Sequence, residues 1–534
     1  MNAVKKRFTH CQMIKKRPIV LLFLTATLAG YFSCTPAADK NKENNKVDMA
    51  AVKKGETLFI TYCQGCHLLP DPKRLPKQVW ETSILPLMAI RMGLKNQPYD
   101  RQITPEEKAI EDANQLIPEK PMVAESDYEL IKQYVLYTAP DTLVYAAERI
   151  NRNKPITQFI RRNLPLDPSA PSLITGIKYN PANNFLWISN MYNKVFNWQW
   201  GKGVLSEENV NSAVVDFTFF KNKTYFTAIG SLMPTELSNG SFDLSTGSVA
   251  QPVLNNLHRP VCSLMEDLDN DGAEIIVGNF GKNLGSLSLF KRAKNDGSYQ
   301  EQKLLSVPGC VRCFLKDMDG DGRKDIVALF SQSDESVYIF FQKDNLQFEA
   351  KRVLRFPPDY GTTDLVLTDF NKDGLMDIVT ANGDNADYSI VLKNYHGIRV
   401  HINQGNNEFK ETFFYPVYGA TRLLAEDFDQ DGDVDFAINC FYPDFGRLLS
   451  ESFVYLQNDN SAKYQFTSFT NQNDLPVKSL TLKKADIDGD GDMDIILGNF
   501  AESPIEVPEY LKDKWKAAQY GLIIFENQFH HGAF

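Results

Sequence analysis

The chain has 534 residues, 43% of them hydrophobic, and a formal net charge of −10. Its length exceeds that of a typical single domain, so we expect two or more domains. The acidic balance disfavours nucleic acid as a partner, since phosphate binding requires a basic surface. The sequence contains no P-loop, no G-x-S-x-G nucleophile elbow and no dinucleotide-binding fingerprint.

The N-terminal segment has the pattern of an export signal. Residues 15–17 are basic and precede an apolar run from 19 to 33, which has the length of a signal-peptide core and is too short to span a bilayer comfortably. The run ends at Ser33-Cys34, and a small residue before Cys resembles the lipobox of bacterial lipoproteins. The resemblance implies a signal peptide over 1–33 and lipidation of Cys34. The lipid would anchor the protein to a membrane of the cell envelope, facing the periplasm or the cell surface; an uncleaved anchor is the alternative.

Residues 63–67 read Cys-Gln-Gly-Cys-His, the spacing of a c-type haem attachment site. Two thiols one helical turn apart, Cys63 and Cys66, would reach both vinyl groups of one haem, and His67 would bind the iron from one side. Apolar spacing predicts a helix before the motif, over 55–62, and another after it, over 127–135. These features resemble the class I cytochrome c domain, whose terminal helices cross beside the haem. A disulfide or a stray zinc ligand pair is the alternative.

Three methionines are candidates for the haem ligand opposite His67. Thioether ligation favours reduced iron and raises the reduction potential. Met88 and Met92 lie one helical turn apart, and Met122 precedes the last predicted helix, where class I domains place their ligand. The stretch 67–93, with its Leu-Pro-Leu-Met sequence, resembles the cytochrome domains that precede VCBS propellers in envelope lipoproteins. That resemblance favours Met88, with Met122 and then Met92 as alternatives, and any of the three could instead be a core residue.

Five acidic loops of the pattern D-x-[DN]-x-D-G recur between β-rich runs, 50 to 59 residues apart. Repeats of this length are typical of propellers, solenoids and arrays. Oxygens at positions 1, 3, 5 and 9 of such a tight loop suit Ca²⁺, which takes six to eight oxygen ligands. In the first loop position 9 is Ile275, and Glu274 stands one residue early. The predicted ligands are Asp267, Asp269, Asp271 and Glu274; Asp317, Asp319, Asp321 and Asp325; Asp369, Asn371, Asp373 and Asp377; Asp427, Asp429, Asp431 and Asp435; and Asp486, Asp488, Asp490 and Asp494.

The acidic loops resemble the calcium-binding element of FG-GAP/VCBS repeats in integrin-type seven-bladed propellers. An EF-hand is excluded because helices do not flank the loops and no Glu stands at position 12. Two further β-rich units, 173–190 and 214–229, lack acidic loops and bring the predicted count to seven blades. Six or eight blades are the alternatives.

These patterns divide the chain into six segments. We predict a signal peptide (1–33), a flexible tether rich in Lys, Asn and Glu (34–50), a cytochrome c domain (51–140), a linker (141–165), a propeller (166–528) and a tail (529–534). The predicted fold class is a small all-α cytochrome c domain followed by an all-β, seven-bladed, calcium-binding β-propeller.

A polar segment, 383–397, interrupts the predicted fifth blade. It contains the candidate catalytic residues Asp384, Asp387, Tyr388, Lys393 and His396, which would bind a polar ligand or perform acid–base chemistry. A solvated loop between strands is the alternative.

Two arginines, Arg312 and Arg422, each stand five residues before an acidic loop. On the innermost strands of a propeller they would make the mouth of the central channel positive. A positive mouth would attract an anionic ligand or an acidic partner.

The combined resemblance implies a haem c electron-transfer lipoprotein of the cell envelope, with a propeller stabilised by up to five Ca²⁺ ions that binds a partner or ligand. In a second hypothesis, the protein is an oxidoreductase whose propeller binds a small-molecule substrate and passes electrons to the haem. A third hypothesis is an adhesion or glycan-binding module. The predicted partners are therefore a redox protein or a small-molecule substrate.

Overall fold

The computed structural model describes residues 47–95, 103–145, 152–166, 173–293, 297–385, 389–472 and 474–529. The predicted signal peptide, the lipidation site Cys34 and nearly all of the predicted tail lie outside these residues. The chain divides into the units 1–47 and 48–534, and the described residues lie almost entirely in the second. Within the described residues, no helix combines the length and the apolar character that crossing a membrane requires.

The first part of the second unit is helical. Its helices are α1 (Met49–Cys63), α2 (Lys77–Val79), α3 (Leu85–Arg91), α4 (Pro105–Ala113) and α5 (Glu125–Thr138); α6 (Glu509–Ala518) lies near the other end of the chain. A 3₁₀ turn, Pro72–Arg74, precedes α2, and a π-helical turn, Trp80–Ile84, joins α2 to α3. The helices predicted at 55–62 and 127–135 are confirmed as parts of α1 and α5. We call the described residues between 49 and 138 the helical region.

Helix α1 crosses α5 at Gly55. A Cβ atom on this residue would lie 2.1 Å from the carbonyl oxygen of Leu130, so only glycine permits this close approach. One turn later, the ring centroids of Phe59 and Tyr134 lie 5.4 Å apart. Phe59 and the fully buried Ile131 belong to the apolar core of the helical region.

The rest of the second unit is built from β-strands. Two strands, β1 (Lys154–Pro155) and β2 (Phe159–Leu164), come first. Blade 1 contains β3 (Ile174–Asn180), β4 (Phe185–Asn190), β5 (Lys194–Gln199) and β6 (Gly203–Asn209); blade 2 contains β7 (Val214–Phe220), β8 (Lys223–Ala228), β9 (Gly240–Leu244) and β10 (Gln251–Leu257); blade 3 contains β11 (Pro260–Glu266), β12 (Glu274–Asn279), β13 (Ser286–Arg292) and β14 (Tyr299–Leu305); blade 4 contains β15 (Cys310–Lys316), β16 (Asp325–Phe330), β17 (Ser336–Gln342) and β18 (Phe348–Arg355).

The remaining strands form three more blades. Blade 5 contains β19 (Thr362–Thr368), β20 (Asp377–Asn382), β21 (Gly397–Asn403) and β22 (Phe409–Pro416); blade 6 contains β23 (Ala420–Glu426), β24 (Asp435–Cys440), β25 (Phe453–Asn460) and β26 (Gln465–Thr470); blade 7 contains β27 (Lys483–Ala485), β28 (Asp494–Gly498) and β29 (Leu522–Asn527). The described residues therefore form seven antiparallel blades, which confirms the predicted seven-bladed β-propeller.

The apolar core lies between neighbouring blades. The second strand of a blade, such as β16, is buried along its whole length because it is covered on both faces. Between blades 3 and 4, for example, Ile276 and Leu289 pack with Ile326 and Phe340. Burial on both faces explains why these strands read in the sequence as continuous apolar runs.

The first strand of each blade is the innermost strand. Contacts between blades join first strand to first strand, for example β3 with β7, β7 with β11, and β19 with β23. In an antiparallel blade, the loop after the first strand lies at one end and the loop after the second strand at the other. We call the end that carries the five acidic loops the acidic end, and the other the opposite end.

The segment 141–165, predicted as a linker, contributes two strands to the propeller, and this prediction is corrected. Strand β2 pairs antiparallel with β29 as the outermost strand of blade 7, and β1 pairs parallel with β26 of blade 6. The pairing closes the ring, because a strand that precedes blade 1 in the chain completes blade 7, whose other three strands come last. The propeller therefore begins before residue 166.

Replacing Phe159 should destabilise the closed ring. This residue on β2 is 6% exposed, and its ring packs edge-on against Phe428 and Tyr455. We expect Phe159→Ala to lower the free energy of unfolding in urea by about 3–5 kcal/mol. The control Ile160→Ala removes a neighbouring side chain that is 42% exposed, so it should cost less than about 1 kcal/mol. Equal losses in the two variants would contradict closure through β2.

Candidate functional site

The five acidic loops join the first and second strands of blades 3 to 7. In the second loop, the amide of Met318 donates to Asp325 Oδ2 (2.8 Å) and the amide of Gly322 donates to Asp317 Oδ2 (2.9 Å). The carboxylates at position 9 of the three loops that follow accept the same contact from the amide at position 2. These contacts hold the first and last acidic side chains of each loop side by side.

In four loops, three carboxylates come together with ligand oxygens within 4.8 Å of one another. Oxygen ligands on opposite sides of one Ca²⁺ stand about 5 Å apart, so each cluster could hold a metal ion. The four clusters are Asp267, Asp269 and Glu274; Asp317, Asp319 and Asp325; Asp427, Asp429 and Asp431; and Asp486, Asp488 and Asp494. The third loop carries Asn371 in place of a carboxylate, and its Asp377 accepts the amide of Phe370 at 2.9 Å.

The first loop has Ile275 at position 9, where the other four loops have an Asp, and Glu274 takes the place of that carboxylate. Glu274, at position 8, accepts the amide of Leu268 at 2.9 Å through Oε2. In the second loop, Asp325 at position 9 accepts the amide of Met318 in the same way. The side chain of Glu is one methylene longer than that of Asp. Glu274 therefore still reaches the cluster of Asp267 and Asp269, although it stands one residue earlier in its loop.

The carboxylates that close the loops bind protons unusually tightly. Burial raises the pKa of Asp435 to about 8 and those of Asp494 and Glu274 to about 7. Neighbouring carboxylates of the same loop add to the effect, while backbone N–H donors oppose it. A bound cation would reverse it, because the cation stabilises the ionised form.

The C-x-x-C-H motif lies at the end of α1. Cys63 is the last residue of the helix and is half-buried, whereas Cys66 is exposed. Burial, with the charge of Cys66 as a smaller contribution, raises the pKa of Cys63 to about 12. His67 is half-buried, and its Nδ1 lies 2.9 Å from the carbonyl oxygen of Leu68. Since a carbonyl only accepts, Nδ1 is the donor, and the lone pair is left on Nε2.

The candidate methionine ligands occupy different surroundings. Met88 is half-buried on α3. Met92 follows the helix and packs against the apolar core of the helical region. Met122 is 56% exposed, and its amide donates to the carbonyl oxygen of Met92 at 2.9 Å. All three belong to the same region as His67.

The polar segment of blade 5 is largely buried, and Asp387 and Tyr388 lie outside the described residues. Lys393 and His396 are each 1% exposed, and Asp384 is half-buried. Lys393 Nζ donates to Asn385 Oδ1 (2.5 Å) and to the carbonyl oxygen of Ser389 (2.7 Å). Burial lowers the pKa of Lys393 to about 8. These bonds tie the segment to itself.

The same segment contacts the helical region. Val391 packs against the helical core, and the hydroxyl of Tyr395 donates to the carbonyl oxygen of Arg74 at 3.1 Å. The Arg74 guanidinium lies 5.1 Å from the ring centroid of Tyr360 and 5.6 Å from that of Tyr395, and 3.6 Å from Asp359 Oδ1. No sequence pattern predicted this contact, because its residues belong to no motif and Arg74 lies far along the chain from the others.

A second contact fastens the helical region to blades 2 and 3. Glu107 of α4 accepts hydrogen bonds from Thr235 Oγ1 (2.8 Å) and from the amide of Glu236 (3.3 Å). Arg91 donates to Asn283 Oδ1. All these loops follow second strands or join blades, so the helical region sits on the opposite end of the propeller from the acidic loops.

Comparison with known families supports the repeat assignment. The family model described as "FG-GAP-like repeat" matches residues 317–380, a stretch that contains the second and third acidic loops. No curated relative matches the sequence.

The solved structures that are similar to the chain share little sequence identity with it. Sqt1 of Saccharomyces cerevisiae is 10% identical, with a TM-score of 0.40 over 70% of this chain and 99% of that chain. A calcium-binding regucalcin from Agrobacterium tumefaciens is 12% identical, with a TM-score of 0.33 over 53% and 87%. The periplasmic gluconolactonase PpgL of Pseudomonas aeruginosa is 12% identical, with a TM-score of 0.37 over 55% and 83%.

The raised carboxylate pKa values predict a calcium effect that depends on pH. In the unfolded chain an Asp has a pKa of about 3.9, so metal-free folded protein holds the proton on Asp435 more tightly. The stability that this proton contributes is complete below about pH 4 and is lost as the pH rises through about 8. We therefore expect Ca²⁺ to raise the melting temperature of EDTA-treated protein more at about pH 8 than at about pH 5, because the ion replaces the proton. Calorimetry measures both shifts.

The control for this experiment is a pair of Asp→Asn variants. Asp435→Asn removes the titrating group, so its metal-free stability should vary less with pH than that of the wild type. Asp459→Asn changes an exposed carboxylate on β25 and should behave as the wild type does. A calcium shift of the same size at both pH values would contradict this account.

Proposed function

We propose that this protein is an electron-transfer protein that carries one haem c on its helical region. The observation that carries the proposal is the C-x-x-C-H motif at the end of α1. Cys63 and Cys66 would hold the haem through two thioether bonds, and His67 would bind its iron through Nε2. The bound haem would change between two oxidation states and so accept and pass on single electrons.

The hydrogen bond of His67 supports this assignment. The Leu68 carbonyl oxygen holds Nδ1–H, which orients the ring and selects the tautomer with a free Nε2. The close crossing of α1 and α5 at Gly55 also supports it, because the sequence resemblance to class I cytochrome c domains implies terminal helices that cross beside the haem.

Met88 would supply the second protein ligand of the haem iron. The side chain of Met92 already packs in the helical core, which favours Met88 over Met92. Met122 is the alternative, because it precedes α5 where class I domains place their ligand.

The propeller would be a calcium-stabilised platform for the helical region and for a redox partner. Its five acidic loops would bind up to five Ca²⁺ ions, and the FG-GAP-like match over 317–380 supports that role. The export pattern of 1–33 and the tether of 34–50 support a lipoprotein that is anchored through Cys34 to the cell envelope.

A catalytic role for the polar segment of blade 5 is not favoured by its contacts. Lys393 and His396 are buried, and the segment supports the helical region through Val391 and Tyr395. These contacts favour transfer of electrons between the haem and a partner protein over oxidation of a small molecule at this segment.

Covalent haem attachment is the first test. We expect protein that is exported in a host with a cytochrome c maturation system to keep its haem after acid–acetone extraction and to give a haem c spectrum when reduced. Cys63→Ser or Cys66→Ser should lose covalent haem, whereas Cys440→Ser, which removes a buried thiol on β24, should keep it. Wild-type protein that lacks covalent haem under these conditions would contradict the proposal.

Substitution of the methionines tests the second axial ligand. Met88→Leu should abolish the methionine–iron charge-transfer band and lower the midpoint potential, because a thioether stabilises reduced iron. Met92→Leu and Met122→Leu should keep both the band and the potential. Loss of the band in Met122→Leu alone would transfer the assignment to Met122.

A further inference from the structure

Charged side chains from six blades meet along the central channel of the propeller. All six stand on first strands, which are the innermost strands. They are Lys178 on β3, Asp216 on β7, Arg312 on β15, Asp364 on β19, Arg422 on β23 and Lys483 on β27. Lys483 of blade 7 interacts electrostatically with groups on blades 1, 2, 4 and 5, which requires a position near the propeller axis.

Both carboxylates of this channel cluster are already paired. Arg312 Nε donates to Asp364 Oδ1 at 2.5 Å, and Lys178 Nζ lies 3.7 Å from Asp216 Oδ1. Burial by itself raises the pKa of Asp364, but Arg312 and Arg422 bring it below its usual range. The cluster holds four cations and two carboxylates, so two positive charges remain without a carboxylate.

Arg422 and Lys483 are the two cations of the channel cluster that form no ion pair in the described part of the chain. Arg422 Nε donates to the carbonyl oxygen of Leu480 (2.9 Å) and Nη1 to that of Thr363 (3.1 Å), so two of its five N–H groups are used and both acceptors are neutral. Lys483 Nζ makes no hydrogen bond and no ion pair in the described part of the chain. Burial, with Arg312 as the next cause, lowers the pKa of Lys483 to about 8 and also lowers that of Arg422.

Solvent reaches the channel cluster. The side chains of Lys178 and Arg312 are 33% and 21% exposed, and Arg422 and Lys483 are half-buried, although all four stand on innermost strands. These partial exposures show that solvent-accessible space lies beside all four side chains. A small ion could therefore reach Arg422 and Lys483 without a change of fold.

We propose that the central channel binds a small divalent oxyanion between Arg422 and Lys483. A divalent charge matches the cluster's excess of two positive charges, and the remaining N–H groups of Arg422 suit a planar or tetrahedral set of oxygens. Two positive charges attract a divalent anion more strongly than a monovalent one. The anion is either an inorganic oxyanion or a small dicarboxylate. This inference does not depend on haem, because all six residues belong to the propeller.

Anion titration of the full-length protein tests the site. At a fixed free Ca²⁺ concentration and matched ionic strength, sulfate or malonate should give saturable heat in calorimetry and raise the melting temperature, whereas chloride and acetate should not. Tighter binding of sulfate would indicate an inorganic oxyanion as the ligand, and tighter binding of malonate a small dicarboxylate. If neither binds more tightly than chloride, the proposal is overturned.

Two neighbouring lysines give a matched pair of variants. Lys483→Met should weaken binding of the preferred anion by at least about tenfold, the size expected for loss of a charged hydrogen bond. Lys484→Met should leave binding unchanged, because Lys484 Nζ donates to the Ala425 carbonyl oxygen (2.7 Å) and pairs with Glu426. Equal weakening in both variants would indicate nonspecific screening and overturn the proposal.

Crystals of the wild-type protein test the same site without relying on the folding of any variant. Crystals grown with selenate, an analogue of sulfate, should show an anomalous peak in the channel within hydrogen-bonding distance of Arg422 and Lys483. A channel without such a peak at saturating selenate would overturn the proposal.

Discussion

The pairing of β2 with β29 closes a ring of seven sheets, and the arrangement of the blades around one axis depends on that closure. Each blade buries both faces of its inner strands against its neighbours, so a blade 7 without β2 would expose both the backbone groups of β29 and apolar surface. Phe159 strengthens the closure by placing its ring among Phe428 and Tyr455. Once the ring is closed, the loops at each end are held at constant positions around one axis.

The closed ring separates three chemical environments. The acidic end gathers carboxylates that repel one another unless protons or cations bind them, as the raised pKa of Asp435 indicates. The opposite end carries the helical region on polar contacts around Arg74 and Glu107. Between the ends, the channel collects more positive than negative side chains. Because the strands alternate direction, consecutive loops of one blade contribute to different ends.

Features that depend on residues close in the sequence could be predicted. The D-x-[DN]-x-D-G loops predicted both the repeat and the turn between strands, because each loop is held by contacts within about nine residues. The apolar spacing of 55–62 and 127–135 predicted α1 and α5. The departure at Glu274 was visible in the sequence, but only the structure shows that its longer side chain restores the contact with Leu268.

Features that depend on distant partners could not be predicted. The segment 141–165 was interpreted as a linker because the partners of β1 and β2 lie hundreds of residues later, on β26 and β29. Lys393 and His396 suggested catalysis by their residue types, yet both are buried in a segment that contacts the helical region through Val391 and Tyr395. No sequence pattern indicated a role for Arg74, because Tyr360 and Tyr395 contact it only in the folded chain.

The sequence by itself determined the repeat, the candidate cation loops and the C-x-x-C-H motif, because local spacing determines which side chains can converge on one ion or one haem. Only the tertiary structure decided that the polar segment of blade 5 supports the helical region and that Arg422 and Lys483 share one channel. The first arrangement depends on contacts such as that of Tyr395 with Arg74, which lie 321 residues apart in the sequence. The second depends on the ring, which brings first strands of different blades around one channel.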